Sequence, residues 1–295
     1  MFLENEMLIK GKRAVLKSYG KINLTLDVAG RRANGYHDVS MIMQTIGLFD
    51  SIIVDRCSHS ITVSSNLKYL PDNEKNIAYR AAAEFFEYTG IRGGVMIRIQ
   101  KNIPVAAGLA GGSSNAAAVL VALNVLYNKH LSVGELCKIG VKLGADIPYC
   151  LTGGTCLSEG IGEILTPVAA LPGLNVVLVK PPVNISTAVI YEKIDSVQIS
   201  ARPDNKEFIK ALESGDVRRI GKLMCNVMEE VTVGMCPEIR SIKNNLIDDG
   251  ALGAVMSGSG PTVFGLFDDY EAAKKSMDKF YKKYNDVFLC RTKDA

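Results

Sequence analysis

The sequence contains no Cys-x-x-Cys pair, no cluster of histidines and almost no excess of charge of either sign. Its seven cysteines are scattered, and His37, His59 and His130 lie too far apart in sequence for metal-ligand spacing, so neither a zinc site nor a disulfide framework is predicted. The 34 basic and 31 acidic residues leave a net charge of +3. So small a charge gives no support for a nucleic-acid partner or a membrane-surface role. Reduced and mostly buried thiols, as in a cytoplasmic protein, are expected.

Targeting and membrane signals are also missing. The N-terminal stretch MFLENEMLIKGKR has no apolar run after a basic start, so no signal peptide is predicted. Residues 105–127 carry no formal charge and are long enough to span a bilayer. Their first half, AAGLAGGSSN, is glycine-rich and polar, however. A glycine-rich loop that opens a buried helix is the better interpretation, and no membrane association is expected.

The chain of 295 residues is 47% hydrophobic and 22% charged, which is typical of a soluble globular protein of one or two domains. Strands dominate the first half and helices the second, with few strict β-α-β alternations, which favours an α+β fold in two domains. Leu171-Pro172-Gly173 is the best boundary, and it predicts domains at 1–170 and 171–295.

Periodicity predicts the elements of the N-terminal half. KINLTLDV at residues 21–28 alternates strictly and indicates a half-buried strand. Asn34-Gly35 is the strongest turn signal after it. Ser132 and Glu135 indicate a capping box before a helix. Further strands are expected across 40–65 and at 95–101, and helices at about 74–88 and 114–127.

Periodicity also predicts the elements of the C-terminal half. A strand is expected at NVVLVKPP, and GAVMSGSGPTVFGLF reads as a strand, a turn and a strand. The last strand is expected at DVFLC. Helices are expected near 186–194, 205–213, 215–231, 238–248 and 271–283.

A glycine-rich segment followed by a helix is the sharpest local feature. Glycines allow close backbone approach to a ligand, and the unsatisfied N–H groups of a helix start favour an anion. Composition alone places phosphate binding only modestly ahead of a flexible loop. The segment is neither a Walker A loop nor a dinucleotide fingerprint. It comprises Pro104, Val105, Ala106, Ala107, Gly108, Leu109, Ala110, Gly111, Gly112, Ser113 and Ser114.

Three other features are weak when each is taken alone. SGSGPTVFG at 257–265 would be a hairpin turn, and a lone strand lysine such as Lys21 is usually solvated. Asp146, in GADIP, would be a cap or turn residue. In order along the chain, however, K-I-N-L, P-x-x-x-G-L-x-G-G-S-S, G-A-D-x-P and S-G-S-G-P-T resemble the GHMP kinase superfamily over essentially the whole sequence. GKINLTLDVAGRRANGYHDV and GGSSNAA resemble the branch that makes isoprenoid precursors from a cytidine diphosphate ester of a branched tetraol.

The resemblance implies a cytoplasmic ATP-dependent kinase that phosphorylates a tertiary hydroxyl and uses Mg²⁺. It implies a mixed-sheet N-terminal domain and a ferredoxin-like C-terminal domain, with the active site in the cleft. Residues 104–114 become the triphosphate loop. The partner is the small cytidine diphosphate substrate, with no nucleic acid and no membrane, and the chain is expected to be a monomer or weak homodimer. The site residues are then Lys21 and Asp146 as the catalytic pair, with Asn23, Tyr36, His37, Thr187 and Tyr191 for the substrate.

The residue types suit this chemistry. A carboxylate serves as base for the hydroxyl proton, an ammonium stabilises the incipient alkoxide, and loop amides and Mg²⁺ hold the phosphates. Tyr36 and Tyr191 are predicted to sandwich the cytosine, while His37 reads its polar edge. The Mg²⁺ ligands stay unassigned, with Ser114 a candidate by its place at the helix start.

Three departures from the family pattern and two alternatives remain open. Ser18-Tyr19-Gly20 precedes Lys21 where Pro-Ala is usual, which is expected to change only the entry into the strand. Ala106, Ala107 and Ala110 stand where glycines are common, and ordinary backbone angles are expected for them, hence a stiffer loop. Met43 stands where an aromatic residue is often found. The alternatives are a superfamily kinase with a different alcohol substrate, and a nucleotide-binding regulator that does no chemistry. The Tyr36-His37 pair argues against the first, and the presence of both Lys21 and Asp146 argues against the second.

Overall fold

The structure, a computed structural model, describes residues 3–33 and 35–294. The chain forms two compact units, each assembled from several stretches of sequence. The first comprises Met1–Gly20, Phe49–Ile103 and Ala110–Gly153, and the second comprises Lys21–Leu48, Pro104–Leu109 and Gly154–Ala295. The domain limits predicted from sequence, 1–170 and 171–295, are contiguous and stay a prediction.

Among the described residues, the first unit combines β-strands with the helices α1 to α4. The strand pairing in this unit is mixed. The residues of β2 and β3 that belong to it pair antiparallel with β1 and β5, respectively, whereas β4 pairs parallel with β5. α1 and α4 pack against α2. The elements are β1 Leu8–Lys10, β2 Arg13–Arg31, β3 His37–Cys57, β4 Ile61–Ser65, α1 Ile77–Thr89, β5 Gly94–Gln100, α2 Gly111–Leu126, α3 Val133–Val141 and α4 Ile147–Thr152, of which β2 and β3 also supply residues to the second unit.

The predicted buried helix is α2, and its burial is confirmed, since twelve of its residues are buried. It begins at Gly111, three residues earlier than expected, so the glycine-serine run belongs to its first turn. The capping box of α3 is also confirmed: the Ser132 side chain accepts from the Glu135 N–H, and the Glu135 side chain accepts from the Ser132 N–H. In the described part of the chain, no helix combines the length and apolar character needed to cross a bilayer.

The second unit contains a four-stranded antiparallel sheet in the order β10-β11-β8-β12. α9 packs on β10 and β11, and α10 packs on β8 and β12. This is the order of a ferredoxin-like fold, which confirms that expectation. The elements are β6 Thr155–Glu159, β7 Ile164–Pro167, β8 Asn175–Lys180, α5 Thr187–Ile194, α6 Asn205–Ser214, α7 Val217–Leu223, β9 Cys225–Asn226, α8 Glu229–Met235, α9 Glu238–Asp248, β10 Gly253–Met256, β11 Val263–Phe267, α10 Tyr270–Tyr281 and β12 Asp286–Arg291.

Several sequence expectations are wrong in detail. The single helix expected at 215–231 is two short helices separated by β9, because Cys225 and Asn226 pair parallel with β2. Two strands, β3 and β4, cover the region 40–65 where further strands were expected, and β3 continues without a break over 21 residues. The predicted turn at Asn34 lies outside the described residues, although its neighbour Gly35 has a left-handed φ of 86°.

None of the seven cysteines, all of which lie among the described residues, forms a disulfide, as expected; three of them are buried and four are half-buried. Burial raises the pKa of the Cys156 thiol to about 11. Burial, aided by Glu238, raises that of Cys236 to the same range. Both thiols are therefore protonated and unreactive at neutral pH.

Candidate active site

The polar face of β2 is turned into the protein. The side chains of Lys21, Asn23 and Thr25 are buried, with exposed fractions of 5%, 0% and 0%. The strand was predicted correctly, but the half-buried character expected for it is wrong here, because both of its faces are covered. Burying an ammonium and an amide is costly unless each has partners. Polar residues kept at this cost on one strand face indicate a site.

Each of these buried groups has a specific partner. Lys21 Nζ donates to Asn23 Oδ1 over 2.6 Å, and the Lys21 N–H donates to the Leu109 carbonyl over 3.1 Å. Thr25 Oγ1 donates to Asn205 Oδ1 over 2.6 Å and accepts from the Ile42 N–H. Within the second unit, the main chain of Lys21 is therefore bonded to the glycine-rich segment at Leu109, and its ammonium is held by Asn23.

The two glycine motifs of the sequence meet in the second unit. Ser257 Oγ donates to the Gly108 carbonyl over 2.9 Å and accepts from the Asn23 N–H over 3.3 Å. Gly108 has a φ of 75°, and a Cβ placed there would lie 2.1 Å from the Ser257 carbonyl oxygen. SGSGPT is therefore a loop that braces the glycine-rich segment, and not only a hairpin turn.

Asn226 braces this loop from the other side and was missed from the sequence. Its Nδ2 donates to the carbonyls of Met256 and Gly258 over 2.7 and 2.8 Å, and its Oδ1 accepts from the Met228 N–H. Residue 226 was assigned to a helix interior. No local signal marks it, because its role depends on β9 pairing with β2.

The glycine-rich segment has a backbone that differs from the expected one. Ala106 and Ala110 have φ values of 51° and 54°, in the left-handed region, so the expectation of ordinary angles for them is wrong. Ala107 is not among the positive-φ residues and is buried. Alanine at a glycine-type angle costs free energy, and such strain is found at functional loops.

The start of α2, in the first unit, has no side-chain cap. Its N-cap residue Ala110 makes no capping hydrogen bond, and no acidic residue lies in the first turn. The N–H groups of Gly111, Gly112 and Ser113 are the first of the helix and lack intrahelical acceptors. The Ser114 N–H, by contrast, donates to the Ala110 carbonyl. The first three amides therefore fit an anion better than that of Ser114 does.

A buried polar network anchors this helix start. Asp50 is fully buried, and its Oδ1 accepts from the N–H groups of Asn102 and Ile103 over 2.7 and 2.8 Å. Its Oδ2 accepts from Asn115 Nδ2 over 2.8 Å and pairs with the ammonium of Lys101. Sequence reasoning missed Asp50, because its four donors come from residues at least 50 positions away.

Ser114 belongs to the same network. Its hydroxyl accepts from Ser18 Oγ over 2.8 Å, and Ser18 Oγ in turn accepts from Asn115 Nδ2 over 2.9 Å. Ser114 is 1% exposed. It is placed to hold α2 in position, which does not favour it as a Mg²⁺ ligand.

Asp146, in the first unit, is the N-cap residue of α4, yet its side chain makes no capping hydrogen bond. This finding weighs against the interpretation of Asp146 as a cap. The helix begins without its help because Pro148 stands at an early position that needs no N–H acceptor.

Tyr191 and His37, two of the residues predicted to bind the substrate, contact each other in the second unit. Their rings are stacked, with centroids 5.1 Å apart and planes inclined by 21°. His37 Nε2 lies 2.9 Å from Asp195 Oδ1, and Thr187 Oγ1 lies 2.7 Å from Ser259 Oγ. Tyr36 is 59% exposed. The structure thus brings His37 against Tyr191, while the sandwich of cytosine between Tyr36 and Tyr191 stays a prediction.

Comparison with known proteins identifies the family. GHMP kinases N terminal domain matches residues 76–154, and GHMP kinases C terminal matches residues 208–286. The 4-diphosphocytidyl-2-C-methyl-D-erythritol kinase of Lachnoclostridium phytofermentans is 50% identical over 90% of this chain and 91% of its own. That of Clostridium novyi is 47% identical over 94% and 99%.

Solved structures agree with this fold. A crystal structure of 4-(cytidine 5'-diphospho)-2C-methyl-D-erythritol kinase has a TM-score of 0.81 and 29% identity, covering 95% of this chain and 100% of that one. The L. major mevalonate kinase in complex with R-mevalonate shares the fold at a TM-score of 0.74 and 18% identity, over 98% of each chain. The resemblance drawn from the motifs is confirmed. With half of its residues identical to a relative over nine-tenths of its length, this chain belongs to the 4-diphosphocytidyl-2-C-methyl-D-erythritol kinase family of the GHMP kinases.

Proposed function

We propose that this chain transfers the γ-phosphoryl group of ATP to the 2-hydroxyl of 4-diphosphocytidyl-2-C-methyl-D-erythritol, with Asp146 and Lys21 as the catalytic pair. Family membership supports the reaction, a phosphotransfer to an alcohol. The observation that carries the assignment of roles is the buried polar face of β2. Lys21 lies there with a fixed hydrogen-bond partner, which is not the environment of a solvated strand lysine.

Asp146 acts as general base in this proposal. The attacking hydroxyl loses its proton as the new P–O bond forms, and a carboxylate within reach accepts it. Lys21 stabilises the negative charge that develops on the attacking oxygen. Asn23 holds the ammonium in line, since its Oδ1 accepts from Lys21 Nζ.

The glycine-rich segment holds the triphosphate. The amides of Gly111, Gly112 and Ser113 supply donors at the positive end of α2. The bracing contacts of Ser257 and Gly108 fix the path of the backbone before the helix. A preorganised loop holds the phosphates in line for transfer without reorganising during the reaction.

Mg²⁺ would neutralise charge on the phosphates and help align them. Among the described residues, no group of three or more His, Cys, Asp or Glu side chains could hold a metal ion. This fits Mg²⁺, which binds through one or two carboxylates and substrate phosphates rather than in a protein cage. Most ligands of the Mg²⁺ would therefore be phosphate oxygens of ATP and water molecules, rather than protein side chains.

Tyr191, Tyr36 and His37 bind the cytosine, and Thr187 contributes a hydroxyl. This pocket separates the proposed substrate from the alcohols of other GHMP kinases. The chain is proposed to work in the cytoplasm as a monomer or weak homodimer, with no nucleic-acid partner.

The test is ADP release from the purified chain with ATP, Mg²⁺ and the cytidylylated substrate, compared with mevalonate and homoserine as acceptors. Lys21→Met should lower kcat about 10²–10³-fold, as expected for loss of an electrostatic stabiliser. Lys17→Met is the matched control, because Lys17 lies on the same strand with a side chain that is 50% exposed. ADP release with mevalonate or homoserine but not with the cytidylylated substrate would overturn the substrate assignment.

A further inference from the structure

One face of α5 carries three side chains that contact the segments around the proposed cytosine pocket. Thr187, Tyr191 and Asp195 are spaced four residues apart, which places them in line on the helix surface. Thr187 contacts Ser259, while Tyr191 and Asp195 both contact His37. The family resemblance implies substrate-binding roles for Thr187 and Tyr191 but none for Asp195.

His37 is held by two independent constraints. Stacking on Tyr191 fixes the plane of the imidazole, and the hydrogen bond from Nε2 to Asp195 fixes its rotation within that plane. His37 is buried, with an exposed fraction of 6%. Within residues 3–33 and 35–294, its Nδ1 makes no hydrogen bond. Nδ1 is therefore the ring nitrogen that can serve a ligand.

Asp195 stands where a helix does not favour a carboxylate. It is the C-cap residue of α5, at the negative end of the helix dipole, which favours cations. Its polar side-chain contact in the described part of the chain is the one with His37. The Asp195 side chain is 44% exposed, and the protein group that it contacts there is the buried imidazole.

We infer that Asp195 is a positioning residue that keeps the hydrogen of His37 on Nε2, so that Nδ1 accepts a hydrogen bond from the exocyclic amino group of cytosine. An ionised carboxylate can only accept hydrogen bonds, so the imidazole nitrogen facing it carries the hydrogen. In the neutral ring, the other nitrogen is then an acceptor. This inference rests on the proposed function, because it concerns the base of that substrate.

The consequence is a choice between pyrimidines. Cytosine has an amino group at position 4, where uracil has a carbonyl oxygen. If Nδ1 of His37 is an acceptor aimed at position 4, it accepts a hydrogen bond from the amino group of cytosine. With uracil, the same lone pair faces the carbonyl oxygen, which is repulsive. Without Asp195, the hydrogen can move to Nδ1, and the same ring then donates to the uracil oxygen. Asp195 thus sets the preference for cytidine over uridine without touching the base.

Binding measurements test this role. The variants are Asp195→Ala and Asp195→Asn, since the asparagine amide can donate to Nε2 and favour the opposite tautomer. Glu192→Gln is the matched control, because it removes a carboxylate from an exposed position of the same helix. The ratio of Kd for the uridine analogue to Kd for the cytidine substrate should fall about five- to 150-fold in both Asp195 variants. It should be unchanged in Glu192→Gln, and Kd for ATP should be unchanged in all three.

The tautomer is measured separately, without nucleotide, from long-range ¹H–¹⁵N spectra of the imidazoles, with His37→Asn to assign the signal. The hydrogen is expected on Nε2 in the wild type and on both nitrogens, in exchange, in Asp195→Ala. A variant that failed to fold would bind neither pyrimidine ligand, and its imidazole would also exchange between tautomers, so both readouts are taken from variants that bind ATP as tightly as the wild type. An Nδ1–H tautomer in the wild type, or an unchanged ratio in both variants, would overturn the role of Asp195. A wild type with the Nε2–H tautomer that binds neither pyrimidine ligand would instead overturn the proposed function, and with it the cytosine contact.

Discussion

A Cβ on Gly108 would lie 2.1 Å from the carbonyl oxygen of Ser257, so two glycine motifs separated by about 150 residues in sequence are in direct backbone contact. The Ser257 hydroxyl adds a hydrogen bond to the Gly108 carbonyl. Glycine at 108 is thus needed for close packing of two loops, as well as for its positive φ. Any side chain there must push the glycine-rich segment away from SGSGPT.

Gly108→Ala should therefore lower the free energy of unfolding by about 2–5 kcal/mol, from left-handed strain and overpacking together. Gly258→Ala is the matched control. Gly258 also has a positive φ of 57°, but its nearest neighbour to an added Cβ is 3.3 Å away. The control should lose about 1–2 kcal/mol, from strain alone. Urea unfolding distinguishes the two, and equal losses would contradict a packing role for Gly108.

Ala106→Gly should stabilise the chain. Ala106 is exposed and has a φ of 51°, so glycine relieves about 1–2 kcal/mol of strain while adding about 0.4–1 kcal/mol of unfolded-state entropy. The expected net gain is about 0.5–1 kcal/mol. Ala107→Gly, one residue on, should instead destabilise by about 0.5–1 kcal/mol or more, because Ala107 has an ordinary φ and is buried. Thermal unfolding should show opposite signs, and a loss of stability in Ala106→Gly would show that its backbone is not strained.

Much of the fold follows from local patterns in the sequence. The alternation of residues 21–28 predicts β2, and Ser132 with Glu135 predicts the start of α3, because the signals that fix these elements lie within a few residues of them. The ferredoxin-like order was implied by the family resemblance. What failed depends on distant partners. Nothing near Asn226 shows that it pairs with β2 and breaks a helix.

The candidate site shows the same division. The motifs predicted chemical roles for Lys21, Asp146 and the glycine-rich segment, and these roles stay predictions. The positions that hold such groups in place were not identified, since Asp50 and Asp195 act on residues far along the chain. The burial of Lys21 was also missed, because an alternating strand pattern does not reveal whether its polar face is covered.

Asp50→Asn should lower the free energy of unfolding by about 3–5 kcal/mol, because it leaves the buried ammonium of Lys101 without its counter-charge. Asp55→Asn is the control. Asp55 pairs with Arg13 and Arg98, whose side chains are 50% and 41% exposed, so the loss of stability in Asp55→Asn should be much smaller. Urea unfolding measures both. A loss in Asp50→Asn no greater than in Asp55→Asn would mean that the buried network contributes little.

Two aspartates at helix starts should behave in opposite ways. Asp146→Asn should lower kcat about 10²–10⁴-fold, as expected for loss of a general base, with Kd for both substrates near normal. Asp269 caps α10, since its side chain accepts from the Ala272 N–H over 2.7 Å. Asp269→Ala should cost about 1 kcal/mol of stability and leave kcat unchanged. Steady-state kinetics and thermal unfolding are measured for both variants. If Asp146→Asn keeps more than a tenth of the wild-type kcat, Asp146 is a structural residue and not the general base.

Tyr191→Ala should weaken binding of the cytidine substrate about five- to 150-fold, as expected for loss of base stacking worth about 1–3 kcal/mol. The loss should be larger than in Tyr36→Ala, because Tyr191 also supports the imidazole of His37, whereas Tyr36 is largely exposed. Tyr191→Phe keeps the ring and should keep most of the affinity. Kd for ATP should not change in any of the three, since the glycine-rich segment is intact. Calorimetric titration of each ligand gives these Kd values. If both alanine variants bind the cytidine substrate as tightly as the wild type, the two tyrosines are not part of the cytosine pocket, and only the family assignment stands.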